Sequence, residues 1–167
     1  MRNALRRFAL AAALIAPAAL GLATMTAGAA QAAPVKTSET SLQTEINRLI
    51  NVQRTSHGCA ALKTDAKLTA AARGHSAYMA QTGKFSHTGR SNSNFVARAK
   101  AAGYAKPSAE NIAWGYRTAA QVVNGWMNSP PHRENIMDCR LHQMGIGLAI
   151  SGDRTPYWVQ DFATPDA

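Results

Sequence analysis

Met144-Gly145-Ile146-Gly147-Leu148-Ala149-Ile150 and Tyr157-Trp158-Val159-Gln160-Asp161-Phe162 are two short apolar runs separated by Ser151-Gly152-Asp153-Arg154-Thr155-Pro156. Short apolar runs joined by a Gly- and Pro-containing turn read as the two strands of a hairpin. Upstream the periodicity changes. Ala119, Val122, Val123 and Trp126 share one face of a helix predicted over 119–127, with Thr118 and Gln121 as a capping box. Ser129-Pro130 follows as an N-cap and a proline at the first helical position, opening a short turn that carries His132. Earlier helices are predicted over 42–54, with Thr40 and Gln43 as a capping box, over 68–81, ended by Gly83, and over about 94–102, stopped by Gly103. With a strand near Glu110 to Gly115, the inventory is α+β, helices around a small antiparallel sheet.

The N-terminus stands outside this pattern. Arg2, Arg6 and Arg7 precede an apolar run from Phe8 to about Met25 and small residues to Ala33, the three regions of a secretory signal peptide. Residues 1–32 are therefore read as a leader cut before Ala33, residues 33–41 as a short tail and 42–167 as one domain, expected to be monomeric and secreted, with no transmembrane segment after the leader. Removing the leader takes three of the 18 basic residues and none of the nine acidic ones, which leaves a net charge of +6. The charge implies weak attraction to anionic surfaces. Scattered basic residues without a reading motif argue against nucleic acid. Cys59 and Cys139, in a chain bound for an oxidising compartment, are expected to form one disulfide, two buried free thiols being the alternative.

The chemically capable residues concentrate in Phe85-Ser86-His87, in Glu110-Asn111-Ile112-Ala113 and in the block from Trp126 to Ile136. If the fold brings them together, His87, Glu110 and His132 form one polar cluster. Two imidazoles and a carboxylate can ligate a divalent metal, shuttle a proton or satisfy one another's hydrogen bonds. The sequence has no His-Glu-x-x-His helix and no Gly-x-Ser-x-Gly elbow. His75 falls on an apolar stripe and is read as a locally bonded core residue, Asn111 and Asn135 as loop or cap holders, and Glu134 and Asp138 as exposed helix-end charges. Trp126 and Trp158 are read as core; Trp114, beside Gly115 and Tyr116, is either core or cleft lining.

These blocks, with His75-Ser76-Ala77-Tyr78-Met79-Ala80, Ala101-Ala102-Gly103-Tyr104, Met144-Gly145-Ile146-Gly147 and the final strand, resemble in order the CAP superfamily of cysteine-rich secretory, antigen 5 and pathogenesis-related 1 proteins (the SCP domain), and specifically its bacterial secreted branch. The resemblance implies an α-β-α sandwich and a surface cleft with a polar cluster. It assigns His87, Glu110 and His132 to that ligand-binding cleft, with His87 and His132 as metal ligands. The second glutamate common in animal and fungal members falls at Ser129 here.

A zinc hydrolase needs protein ligands, an activated water and usually a further base. With Glu110 as ligand these blocks hold no base, and with Glu110 as base only two ligands remain. The resemblance then implies a secreted, non-enzymatic binding protein whose cleft can hold zinc or another divalent cation and, as in relatives, a lipid or sterol, while the basic charge suggests an anionic cell-wall ligand equally. The alternative is an extracellular hydrolase of peptide, ester or wall substrates, with Glu110 as its catalytic group.

Overall fold

The computed structural model describes residues 39–164, so the readings of residues 1–32 as a leader and of most of the tail fall outside the described residues. Its order is α1 (Glu39–Ser56), β1 (Lys63–Thr64), α2 (Ala66–Thr82), a 3-10 turn (Arg90–Asn92), α3 (Phe95–Ala101), β2 (Pro107–Trp114), α4 (Ala119–Met127), α5 (Pro130–Met137), β3 (Gln143–Ile150) and β4 (Pro156–Ala163). The sheet runs β1-β3-β4-β2, with β3–β4 and β4–β2 antiparallel. β1 pairs parallel to β3 and has only two residues, too short for alternation to announce it.

The hairpin forms as read, and β4 is buried along its whole length because helices cover both sheet faces. Alternation sorts its side chains. Trp158 and Phe162 join Met144 and Ile146 against Ile46 and Ile50 of α1, Val122 and Trp126 of α4 and Ile136 of α5. Tyr157 and Val159 face Ala72 and Met79 of α2. Gly145 and Gly147 of β3 explain how closely α2 lies on the sheet: a Cβ at either would fall inside contact distance of α2 backbone, at Leu68–Thr69 and Ala72–Arg73. The molecule is the sandwich of helices, sheet and helices that the sequence implied.

Thr118 accepts from the Gln121 amide and Gly83 ends α2 in the left-handed region, as read, while Asp65, which accepts from the amides of Lys67 and Leu68, and Asn94, which accepts from that of Ala97, are caps the sequence reading did not name. Two expectations are corrected. α1 already includes Glu39, so Thr40 is inside the helix and caps nothing; Gln43 instead donates to the Ile146 carbonyl at 2.5 Å, a tertiary partner that overrides the local box. Ser129 sits at the N-cap of α5 without a side-chain cap bond, and Pro130 alone adapts that helix start.

Cys59 and Cys139 form the disulfide. Beside it, Arg54 is fully buried, and its guanidinium donates to the carbonyls of Ala60, Ile136, Asp138 and Leu141. Burial holds its pKa below the usual arginine value, with the Asp138 charge opposing. Among the described residues no helix is long and apolar enough to cross a membrane.

Candidate functional site

Glu110 enters the site from β2, whose alternation turns it toward the α2–α3 side of the sheet together with Ile112. Its side chain is only 1% exposed and both oxygens are engaged. His87 Nδ1–H donates to Oε1 at 2.8 Å and Arg98 donates to Oε2 at 2.6 Å. The His87 ring itself is 57% exposed, so the carboxylate orients an imidazole whose Nε2 is left for whatever enters from solvent.

The loop carrying His87 is held from behind. His75 Nε2–H donates to the Ser86 carbonyl at 2.8 Å, and Arg98 donates to the carbonyls of His87 at 3.0 Å and Ser93 at 2.8 Å. His75 is thus the buried, locally bonded residue the apolar stripe suggested. Burial lowers its pKa most, with the charges of Arg98 and His87 adding to this and Glu110 and the Ser86 carbonyl opposing. Arg98 was not anticipated, because a lone arginine on a short helix carries no local signal of its partner.

His132 stands on the first turn of α5, and its carbonyl accepts from Asn111 Nδ2 at 3.1 Å. Asn111 also donates to Gln160 and accepts from Asn135 at 2.9 Å, so the two asparagines tie α5 to β2, where the sequence reading had them holding loops or caps. Among the described residues no hydrogen-bond partner meets the His132 ring. Its link to His87 is electrostatic: burial first, then the His87 charge, lowers its pKa. The structure therefore joins His87 to Glu110 directly and leaves His132 outside that hydrogen-bonded pair.

His132 lines a cleft of about 450 Å³ with Phe85, Trp114, Tyr116, Trp126 and Ser129. Trp114 is 56% exposed and its ring stands 6.1 Å from that of Phe85, so of its two readings the cleft is the one realised. Trp158, buried as expected, donates from its indole to the Tyr116 carbonyl at 2.8 Å and steadies the rim. Gly125 of α4 gives the Tyr116 ring room: a Cβ there would come within 2.6 Å of its Cζ.

A second carboxyl lies behind Glu110. Asp161 is paired with it across the β2–β4 ladder, is fully buried and has no donor for either oxygen among the described residues. Burial, then the Glu110 charge, pushes its pKa well above the usual carboxylate range, against a smaller lowering by Arg98. Glu110 is within hydrogen-bonding reach, so the two carboxyls bond only when Asp161 carries a proton. The signal for it was present in the alternation of β4, but only the register with β2 brings it to Glu110.

The match to the CAP family model, cysteine-rich secretory protein family, extends over residues 48–162 and so takes in every residue of this site. The chain belongs to the CAP family. Two curated Bacillus subtilis relatives are similar over most of the chain: the uncharacterized protein YkwD, 33% identical over 119 residues and 71% of this chain, and the uncharacterized membrane protein YlbC, 32% identical over 126 residues and 74% of this chain. The aligned region spans only 45% and 35% of those proteins. Among solved structures, an extracellular SCP-domain protein from Bacillus anthracis superposes with a TM-score of 0.69 at 26% identity, over 76% of this chain and 41% of that one. An outer surface protein of Borrelia burgdorferi superposes at 0.70 with 19% identity, over 77% and 96%, a likeness of fold alone.

Among the described residues no three His, Cys, Asp or Glu side chains are grouped as a metal site. Each Glu110 oxygen already accepts one hydrogen bond, from His87 and from Arg98 respectively.

Proposed function

We propose that this CAP domain is a secreted, non-enzymatic binding module whose aromatic cleft takes a lipid-like ligand and whose His87 and His132 hold a divalent cation, zinc or a similar ion, at the cleft's polar side. The observation that carries the reading is the exposed aromatic rim, with Trp114 at 56% and Phe85 at 43% exposure over a concave, partly apolar wall. Grouped exposed aromatics around a pocket mark binding surfaces. An anionic wall polymer is the alternative ligand, favoured by the basic charge rather than by the cleft. When bound, the cation would supply a Lewis-acidic anchor for a ligand oxygen. Glu110 fixes the His87 tautomer, and Arg98 neutralises Glu110.

Both Glu110 oxygens being occupied favours an orienting role over that of a general base, which weakens the hydrolase alternative. Tryptophan fluorescence during titration with fatty acid, sterol and teichoic-acid-type polymer tests the ligand, with Trp114→Ala as control. Calorimetry with zinc on the parent and on the His87→Ala, His132→Ala double variant tests the cation. Saturable lipid binding lost in Trp114→Ala is expected. Identical responses of parent and variants would overturn both parts.

A further inference from the structure

Among the described residues, those lining the aromatic cleft include no arginine, lysine, aspartate or glutamate. Ile112, Ala113 and Trp126 give it a buried apolar floor, and its polar side chains are those of Tyr116, Ser129 and His132. The backbone adds little for an anion. The cleft adjoins the start of α5, where a helix ordinarily presents free amides to negative charge. Here the first two positions are Pro130 and Pro131, which have no N–H, and the Arg133 amide is spent on the Ser129 carbonyl at 2.9 Å.

Two hydroxyls of this wall are open to a ligand. Gly115 turns the chain out of β2 in the left-handed region, and its amide donates to the Pro156 carbonyl at 2.9 Å. Tyr116 follows, with its carbonyl held by the Trp158 indole and its ring against Gly125, where a Cβ would stand 2.6 Å from both Cζ and Oη. The phenol is thus fixed on the cleft wall, in a residue 39% exposed. Ser129, half-buried, makes no capping bond, and among the described residues its oxygen is not one of the buried polar atoms without a partner, so solvent or a ligand reaches it. A carboxylate that leaves water for such a cleft loses hydration and meets no cation. A neutral hydroxylated head loses less and finds groups that both donate and accept, while its acyl chain lies on Trp114 and Phe85.

We propose that the cleft selects its lipid by a neutral, hydroxylated head of the glycerol-ester type, bonded by the Tyr116 and Ser129 hydroxyls, and discriminates against the free fatty acid of the same chain length. The inference rests on the reading of the cleft as lipid-binding and names the head group which that reading leaves open.

Calorimetry at about pH 8, above the ordinary histidine value and with a chelator present so that no cation bridges a carboxylate, compares monodecanoylglycerol, methyl decanoate and decanoate below their micelle-forming concentrations. The expected result is saturable binding of the glyceride and binding of decanoate that is roughly tenfold weaker or worse. Methyl decanoate, neutral but without hydroxyls, should fall between them. Tyr116→Phe keeps the ring and removes its hydroxyl, and Ser129→Ala removes a hydroxyl that caps nothing. Each should narrow the gap between glyceride and methyl ester by about threefold or more, and each stands alone if the other variant fails to fold. Decanoate bound as tightly as the glyceride overturns the head-group inference and leaves the lipid-binding reading intact. A glyceride preference unchanged in the folded variants overturns it in the same way. Binding of none of the three lipids overturns the inference together with the reading beneath it.

Discussion

Glu110 and Asp161 face each other across the β2–β4 ladder, so a buried carboxyl pair stands behind the exposed His87 ring, with Arg98 paired to its Glu110 member. Like charges so placed cannot both ionise cheaply. Glu110 has the arginine and the imidazole, so Asp161 is the member of the pair whose pKa is pushed up.

Asp161→Asn is expected to keep the fold and to be more stable than the parent near neutral pH. A carboxyl whose folded pKa is raised contributes fully below its unfolded value of 3.8, and that contribution is lost as pH rises through the folded value. The asparagine does not ionise and donates to Glu110 at every pH. Urea unfolding from acid to neutral pH checks this; parallel pH profiles for parent and variant would refute it.

Arg98→Ala should cost about 3–5 kcal/mol, the penalty typical of leaving one half of a buried ion pair alone. It also frees the His87 and Ser93 carbonyls. Arg48→Ala, which removes the exposed pair with Glu45, should leave the unfolding midpoint where it is. Similar midpoints for the two variants would contradict the assignment of Arg98 to the site's frame.

His75 gives the opposite pH sign. Its folded pKa lies below the ordinary 6.5, so its stabilising contribution is present above that value and is lost as pH falls below it. The His75 contribution should therefore decline on acidification from neutral pH, opposite to that of Asp161, and His75→Gln should remove it, so that the variant loses less stability than the parent over that range in thermal melts. An unchanged slope in a folded variant would count against a buried neutral imidazole.

Gly147→Ala places a methyl group inside contact distance of the α2 backbone, whereas a Cβ at Gly152 in the β3–β4 turn meets nothing within 4 Å. The first substitution should cost about 1–3 kcal/mol or more, by forcing helix and sheet apart. The second should be nearly silent. Denaturation midpoints decide between them, and equal losses would mean that helix–sheet contact is looser than the geometry requires.

Reduction of Cys59–Cys139 should destabilise by about 2–4 kcal/mol yet leave the fold intact. Arg54 ties the same end of α1 to the carbonyls of Ile136, Asp138 and Leu141 without the bridge. Circular dichroism of the reduced chain that showed an unfolded ensemble would mean the arginine cannot hold that corner alone.

Local information was enough for the elements. Periodicity and caps located α2, α3 and α4 and the β3–β4 hairpin to within a few residues, because apolar faces and the Asp, Asn, Thr and Gly chemistry of helix ends are short-range properties. The blocks around His87, Glu110 and His132 carried the family. What the chain could not state in one dimension was partnership. Arg98 on Glu110, Asp161 across from it, Arg54 among distant carbonyls and Gln43 on Ile146 are pairings between residues whose own neighbourhoods say nothing of each other. Strand register and close helix–sheet packing create them. The tertiary structure therefore decided which imidazole is oriented, which carboxyl has its pKa raised and which aromatic faces solvent, since each depends on burial and on charges brought together only by folding.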